Sequence, residues 1–364
     1  MDKKTLGVLE FNKIVEMLVS SASSNIGKEI ARSVLPLKET ETVRGMLKET
    51  SDAVSYIVKK GSPPIGGLHD IRGSLKRAEV GSALTPRELL HISDVLRTTR
   101  RVKDYTKGID VEREASLSDG NIISELASSL ESNRRIEERI AYSILGEEEI
   151  ADDASSTLKS IRRKIKELQE SIKDRLNSIV KSSAYQKYIQ EPVVTIRAER
   201  YVIPVKQEYR NEIKGMVHDS SASGATIFIE PMAVVEANND IKQMKIKEQV
   251  EIERILRELT DEVVGILPEL KSNIEILSRV DFIFAKAKLS LELECICPSL
   301  TKDRKIRIRR GRHPLLSKEV VVPIDFWTGE EFTSLVVTGP NTGGKTVTLK
   351  TVGLFVLMTQ AGLH

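Results

Sequence analysis

The chain has 364 residues, of which 40% are hydrophobic, 30% charged and 4% aromatic, and its net charge is +3. This length predicts two or three domains. The small net charge excludes a polycation, so a nucleic-acid-binding surface must come from local clustering. The N-terminus has no apolar signal core and no run of residues is long enough to span a bilayer, which predicts a cytoplasmic protein without a membrane partner.

Residues 1–150 carry apolar side chains at helical spacing, and we expect them to form a helical core domain. From 151 to 192 the pattern changes to one narrow apolar seam, with charged and amide side chains between its members and no proline or glycine before Pro192. This pattern predicts a single long helix of the kind found in coiled coils. The seam consists of Leu158, Ile161, Ile165, Leu168, Ile172, Leu176 and Ile179.

The period changes again between 193 and 232, where short stretches rich in β-branched residues predict a small β module with a hairpin turn at 221–224. Helical spacing returns from 233 to 297, for example at Ile241 and Ile255. Because neither long helix can bury its seam alone, we expect an antiparallel pair of helices that carries the β module at its far end.

Residues 298–364 are expected to begin an α/β nucleotide-binding domain. The pattern predicts short strands at 305–308, 320–322 and 334–338, and a helix from 346 to 358. The predicted fold class is therefore mostly α: a helical core, long antiparallel helices with a small β module at the tip, and the start of an α/β P-loop domain.

A loop of the form G-x-x-x-x-G-K-[ST] lies between the last predicted strand and helix, which is the context of a phosphate-binding P-loop. Its glycines allow the backbone to wrap around phosphates with N–H groups pointing inward, and the helix N-terminus favours negative charge. We expect Lys345 to reach the β- and γ-phosphates and Thr346 to ligate Mg²⁺, so the predicted cofactors are ATP and Mg²⁺. The loop consists of Gly339, Pro340, Asn341, Thr342, Gly343, Gly344, Lys345 and Thr346.

The loop and several stretches before it resemble the MutS superfamily. Mismatch-repair members usually have Met where this chain has Thr342, and Ser-Thr where it has Thr346 and Val347; in these departures the chain is similar to the second MutS branch. The resemblance covers most of the chain. The stretches that carry it are 201–206 and 217–231, which resemble the family's clamp, 312–316, which resembles the lead-in to its ATPase, and 338–353.

This resemblance implies an ATPase at the base of long lever helices, a β clamp at their tip, and no mismatch-reading domain. It implies a full-length homodimer that binds branched or double-stranded DNA, suppresses homologous recombination and carries a C-terminal endonuclease domain. Some members are implicated in recognising collided ribosomes and splitting them, with rRNA as a partner. The Walker B acid, the signature segment and the nuclease residues would lie beyond residue 364. We therefore expect no catalytic residue in this chain, and little or no ATPase or nuclease activity from it alone.

Two further sets of site residues are expected. The resemblance implies that Val321 or Val322 packs on the adenine, whereas a plain buried strand valine is the alternative. It also implies that Asn341 faces the γ-phosphate. Between 193 and 217 five basic residues outnumber three glutamates, which predicts contacts with phosphates, although any exposed β surface also has mixed charge. These basic residues are Arg197, Arg200, Lys206, Arg210 and Lys214.

The densest basic run, 302–312, contains alternating Ile306 and Ile308, which is more typical of an edge strand with solvated arginines than of a nucleic-acid patch. Two other functions stay open for the whole chain. One is a coiled-coil P-loop ATPase of the SMC kind, in which the P-loop precedes a much longer coil. The other is a structural helical dimerisation module.

Overall fold

The computed structural model describes residues 3–107, 121–339 and 344–364. Most of these residues are helical, which confirms the mostly α fold class, and the sheets are small and antiparallel. The chain divides into two compact units. The first comprises Met1–Val80, His91–Glu138 and Val263–His364, and the second comprises Gly81–Leu90 and Arg139–Glu262.

Helices α6, α8 and α10 have residues in both units, and the four-stranded sheet belongs to the second. The helices are α1 (Lys3–Val8), α2 (Phe11–Ser21), α3 (Asn25–Arg32), α4 (Thr40–Lys60), α5 (Arg72–Glu79), α6 (Pro86–Thr106), α7 (Ile122–Ser128), α8 (Arg134–Ser143), α9 (Ser156–Lys181), α10 (Met232–Val264), α11 (Leu267–Glu292) and α12 (Lys345–Gln360). The strands are β1 (Ile144–Gly146), β2 (Glu149–Ile150), β3 (Thr195–Arg197), β4 (Arg200–Lys206), β5 (Gly215–Ser220), β6 (Thr226–Pro231), β7 (Ile306–Gly311) and β8 (Ile324–Thr328). Among the described residues, no helix combines the length and the apolar character that a membrane span requires.

The core of the first unit forms around α11, whose buried residues lie on most of its circumference and which packs against α2, α3 and α4. Helix α2 contributes Phe11, Ile14 and Leu18, and α12 contributes Leu354 and Leu357 to the same cluster. Residues three and four positions apart share one face of a helix, so α2 and α12 each bury a single apolar stripe.

A buried carboxylate on α11 fixes the start of α3. Ser24 is the N-cap residue of α3; its Oγ accepts a hydrogen bond from Gly27 N at 2.9 Å and donates one to Asp281 Oδ2 at 2.6 Å. Asp281 also accepts the backbone N–H groups of Ser23 and Ser24. A Cβ on Gly27 would lie 2.2 Å from Asp281 Oδ2, so this position has room only for glycine.

In the second unit, α9 and α10 run antiparallel. Three hydrogen bonds join the two helices. Along α9 the residue number of the first partner rises, and the residue number of its partner in α10 falls, which is the pattern of antiparallel helices. The seam residues Leu158, Ile165, Ile172 and Leu176 are buried. The bonds are Ser155 Oγ to Glu251 Oε1 (2.7 Å), Arg162 Nε to Glu248 Oε1 (2.7 Å) and Arg175 Nη1 to the carbonyl of Ala233 (3.1 Å).

The β module of the second unit is a four-stranded sheet with the order β3-β4-β6-β5. Strand β4 is buried along most of its length, and Ile203 and Val205 lie across from Ile229 and Ile227 of β6. These residues form one apolar cluster with the last turns of α9. A Cβ on Gly215 would lie 2.2 Å from the carbonyl oxygen of Glu230, so β5 can approach β6 this closely only with glycine there.

Helix α9 is shorter than the sequence predicted, because it ends at Lys181 instead of continuing towards Gln190. The backbone after it pairs with β4: Gln190 N donates to the carbonyl of Pro204, and Lys206 N donates to the carbonyl of Tyr188. Ile189 also forms a bridge with Val205. This tertiary pairing overrides the local helix propensity of a segment that has no proline or glycine.

The C-terminal stretch differs from the predicted α/β pattern. The strand predicted at 305–308 exists as β7, which pairs with β8 in a hairpin. The strands predicted at 320–322 and 334–338 are not formed; these residues are turns or irregular. Val336 is 83% exposed. A strand needs a neighbour for its backbone N–H and C=O groups, and none of the described strands pairs with either stretch.

Candidate functional site

The described part of the P-loop consists of Gly339, Gly344, Lys345 and Thr346. Gly344 has φ 79° and caps α12, and Gly339 has φ 140°, so both glycines adopt backbone conformations that residues with a Cβ avoid. The Lys345 ammonium donates to the carbonyl of Gly339, the first residue of the motif. A Cβ at either glycine would meet no atom of the described residues within 4 Å. A lysine whose ammonium lies at the carbonyl of Gly339, next to a helix N-terminus, is an arrangement that a bound polyphosphate could use.

The structure describes the metal candidate and both adenine candidates, and part of the loop. Pro340, Asn341, Thr342 and Gly343 lie outside the described residues. Thr346 is exposed in the first turn of α12, where a metal ion beside the phosphates could reach its hydroxyl. Val321 is half-buried and Val322 is 78% exposed, and neither lies in a strand. Contact of either valine with the adenine stays a prediction.

Helix α12 is anchored to the N-terminal segment by a residue that the sequence analysis did not single out. Glu10 has φ 58° and ψ 27°, a left-handed conformation that is rare for a residue with a Cβ. Its carboxylate accepts hydrogen bonds from Lys13 and, at 2.9 Å, from Lys350 of α12. These two contacts, that of Lys13 being the larger, lower the pKa of Glu10 to about 2. A glutamate two residues after a short helix gave no periodic signal that could have revealed this link.

The β3–β4 hairpin holds two of the candidate nucleic-acid-binding residues. Arg197 and Arg200 pair directly across the strands, and the turn between them consists of Ala198 (φ 47°) and Glu199 (φ 60°). Two-residue hairpin turns of this type require positive φ at both positions, which normally selects Asn or Gly. The turn is therefore strained, and it fixes both arginines on adjacent strands.

Arg200 is engaged with a fully buried carboxylate. Its Nη1 lies 2.8 Å and 3.0 Å from the two carboxylate oxygens of Glu230, which is 0% exposed, and its Nη2 donates to Asn239 Oδ1 at 2.7 Å. His218 Nε2 and, at 2.8 Å, Asn238 Nδ2 also contact Glu230. Glu230 was not identified from the sequence, although a carboxylate directly after the apolar residues of β6 is the kind of signal that marks a buried charge.

Arg197 is in a more open position. Its guanidinium lies 4.5 Å above the ring of Phe228, and its Nε is 3.4 Å from Asp219 Oδ2, with 44% of the side chain exposed. Lys206 donates to the carbonyl of Lys187 at 3.3 Å, whereas Arg210 and Lys214 are exposed. The structure thus brings Arg197 and Arg200 together on one hairpin, and only Arg200 is committed to a buried partner.

Among residues 3–107, 121–339 and 344–364, no group of three or more His, Cys, Asp or Glu side chains is arranged to hold a metal ion. No protein-family model matches the chain. Over 100% of its length the chain is 64% identical to the Endonuclease MutS2 of Acetivibrio thermocellus and 57% identical to that of Ruminiclostridium cellulolyticum. It is 48% identical to the Endonuclease MutS2 of Clostridioides difficile. These matches cover 45% to 46% of the relatives, so the chain spans slightly less than half of their length.

Proposed function

We infer that this chain, which belongs to the second branch of the MutS superfamily, binds ATP with Mg²⁺ at residues 339–346 and nucleic acid on the β module of its second unit. The observation that carries the nucleotide proposal is the hydrogen bond from the Lys345 ammonium to the carbonyl of Gly339, together with the positive φ of Gly339 and Gly344. Lys345 would hold the β- and γ-phosphates, and the Thr346 hydroxyl would hold the metal ion. Bound MgATP would supply a compact polyanion that α12 and the loop can recognise through backbone N–H groups.

The relatives' name supports a role with DNA. Phosphate contacts from basic side chains supply most sequence-independent affinity for nucleic acid. Arg197, Arg210 and Lys214 are exposed on the β module or next to it, and we propose that they make such contacts. A branched or double-stranded DNA is the first candidate, and structured rRNA of a stalled ribosome is the second.

We propose that α9 and α10 act as the lever that relates nucleotide binding to the β module. Their antiparallel hydrogen-bonded pairing supports a stiff connection. Because the chain spans slightly less than half of its relatives' length, ATP hydrolysis, endonuclease cleavage and homodimer formation are proposals for the whole protein. For the 364-residue chain we propose nucleotide binding with little or no turnover.

The test is the melting temperature of the purified chain with and without MgATP. A ligand that binds only the native state at one hundred times its Kd adds about 2.7 kcal/mol to the free energy of unfolding, which is readily seen as a rise in melting temperature. We expect this rise for the wild type and for Lys302→Ala, an exposed lysine outside the loop, and its loss in Lys345→Ala. An equal rise in Lys345→Ala, or none in the wild type, would refute the assignment.

A further inference from the structure

Three tyrosines lie close together where the chain leaves α9 and joins the β module. The rings of Tyr185 and Tyr188 are 6.4 Å apart, centroid to centroid, with an interplanar angle of 62°. The rings of Tyr188 and Tyr209 are 5.1 Å apart at 52°. Aromatic pairs at these distances and tilts are mutually attractive, so the three rings support one another.

The three rings differ in burial. Tyr188 and Tyr209 are half-buried and pack against the apolar cluster of the β module. Tyr185 is 38% exposed, and its position is set by a turn in which its backbone N–H donates to the carbonyl of Ser182. Tyr188 and Tyr209 therefore support the ring of Tyr185 from below, and the ring of Tyr185 remains accessible at the surface.

Two lysines lie near the middle ring, that of Tyr188. The Lys187 ammonium lies 4.7 Å from the centroid of the Tyr188 ring, and the Lys206 ammonium donates to the carbonyl of Lys187 at 3.3 Å. From 181 to 214 the chain has seven Lys or Arg residues and four Glu, an excess of three positive charges. The exposed ring of Tyr185, together with the lysines at its neighbour Tyr188, is complementary to a ligand that has both flat apolar faces and negative charges.

We propose that Tyr185 stacks on an unpaired base of a single-stranded nucleic acid, with Lys187 and Arg210 beside the adjoining phosphates. Single strands bind to such surfaces through aromatic stacking and backbone electrostatics, and every base has a π-face to offer. In a duplex both faces of each internal base are already stacked on neighbours, so Tyr185 selects unpaired nucleotides. This inference rests on the proposed nucleic-acid binding and narrows it, because among the proposed ligands it favours those with unpaired nucleotides, such as branched DNA or structured rRNA, over a plain duplex.

The test is fluorescence anisotropy of the full chain with labelled oligonucleotides of about 15 residues, within the usual site size of such surfaces. The probes are oligo(dT), oligo(U) and a blunt dA·dT duplex. We expect both single strands to bind more tightly than the duplex, and a preference between them identifies DNA or RNA as the source. Tyr185→Ala should weaken single-strand binding about tenfold and leave duplex binding unchanged.

Two variants serve as controls. Tyr185→Phe keeps the ring and should keep the affinity. Tyr142→Ala removes another exposed tyrosine of the second unit, on α8, and should have no effect. Wild-type affinity of Tyr185→Ala for single strands, or equal binding of duplex and single strands, refutes the inference and leaves the proposed nucleic-acid binding intact. No binding of any probe by the wild type refutes both.

Photocrosslinking locates the contact directly. An oligonucleotide that contains 5-iodouracil reacts with an aromatic side chain stacked on the modified base. We expect the crosslink on Tyr185, in the tryptic peptide 182–187. A crosslink confined to other peptides, in a chain that binds the probe, contradicts the placement of the base on Tyr185.

Discussion

Replacing Arg200 with alanine tests whether this arginine is structural or available to nucleic acid. Arg200 makes two hydrogen bonds to Glu230 and one to Asn239, and its side chain is 20% exposed. Removal of one partner of a buried ion pair costs about 3–5 kcal/mol, because the other charge stays buried without compensation. His218 and Asn238 remain on Glu230 after the substitution, so we expect about 3 kcal/mol, at the lower end of this range.

Arg197→Ala is the matched comparison on the neighbouring strand. Its ion pair with Asp219 is 3.4 Å long and both side chains are more than two-fifths exposed, so solvent screening leaves about 0.5 kcal/mol for that pair. The contact of its guanidinium with the Phe228 ring adds about 0.5 kcal/mol at an exposed site. We therefore expect the two variants to differ by about 2 kcal/mol in the free energy of unfolding.

The assay is urea unfolding followed by tyrosine emission, because five of the seven tyrosines belong to the second unit. Trp327, the single tryptophan, belongs to the first unit and gives a separate signal. If both variants lose the same free energy, Glu230 does not depend on Arg200 and the structural assignment is wrong. The double variant Arg200→Met/Glu230→Gln should be more stable than Arg200→Ala, because it leaves no buried charge unpaired.

Two predictions concern pH. Burial lowers the pKa of Lys286 from 10.5 to about 8. Between these pH values the unfolded chain holds more protons than the folded chain, so the free energy of unfolding should rise with pH by up to about 3 kcal/mol. Urea titrations at pH 8 to 10.5 should show this rise for the wild type and not for Lys286→Met. The pKa of Glu10 is lowered from 4.5 to about 2, so its ionised carboxylate stabilises the folded chain above pH 4.5, and this stabilisation is lost as the pH falls towards 2. Glu10→Gln should therefore flatten that part of the acid-unfolding curve. An unchanged curve would contradict the link between Glu10 and Lys350.

The helical periodicity predicted the helical character of 156–181 and 232–264 because these segments carry a narrow apolar stripe, and a stripe is visible in the sequence. The ends of elements depended on distant partners. Helix α9 stops at Lys181 since residues 188–190 pair with β4, a contact that no local pattern records. The valines at 320–322 have the composition of a strand, yet composition does not supply the neighbouring strand that the backbone requires.

In the candidate site, too, features set by local sequence were predictable and contacts with distant partners were not. The P-loop pattern is local, and the motif accounts for the positive φ of Gly339 and Gly344. Contact of Lys345 with phosphates stays a prediction. Glu10 and Glu230 were missed because their partners lie 340 and 30 residues away along the chain. Their effects depend on burial and distance, which a count of charges cannot include.

The basic residues of the β module therefore do not form one equivalent set. The strained turn at Ala198 and Glu199 holds Arg200 in register with Arg197, and Glu230 then takes up the guanidinium of Arg200. A charge-reversed Arg200 would place two like charges in a buried position, so its loss of nucleic-acid binding would report unfolding of the sheet rather than a lost phosphate contact. Binding experiments on this surface should compare variants of exposed residues such as Arg210, whose substitution leaves the Glu230 contacts intact.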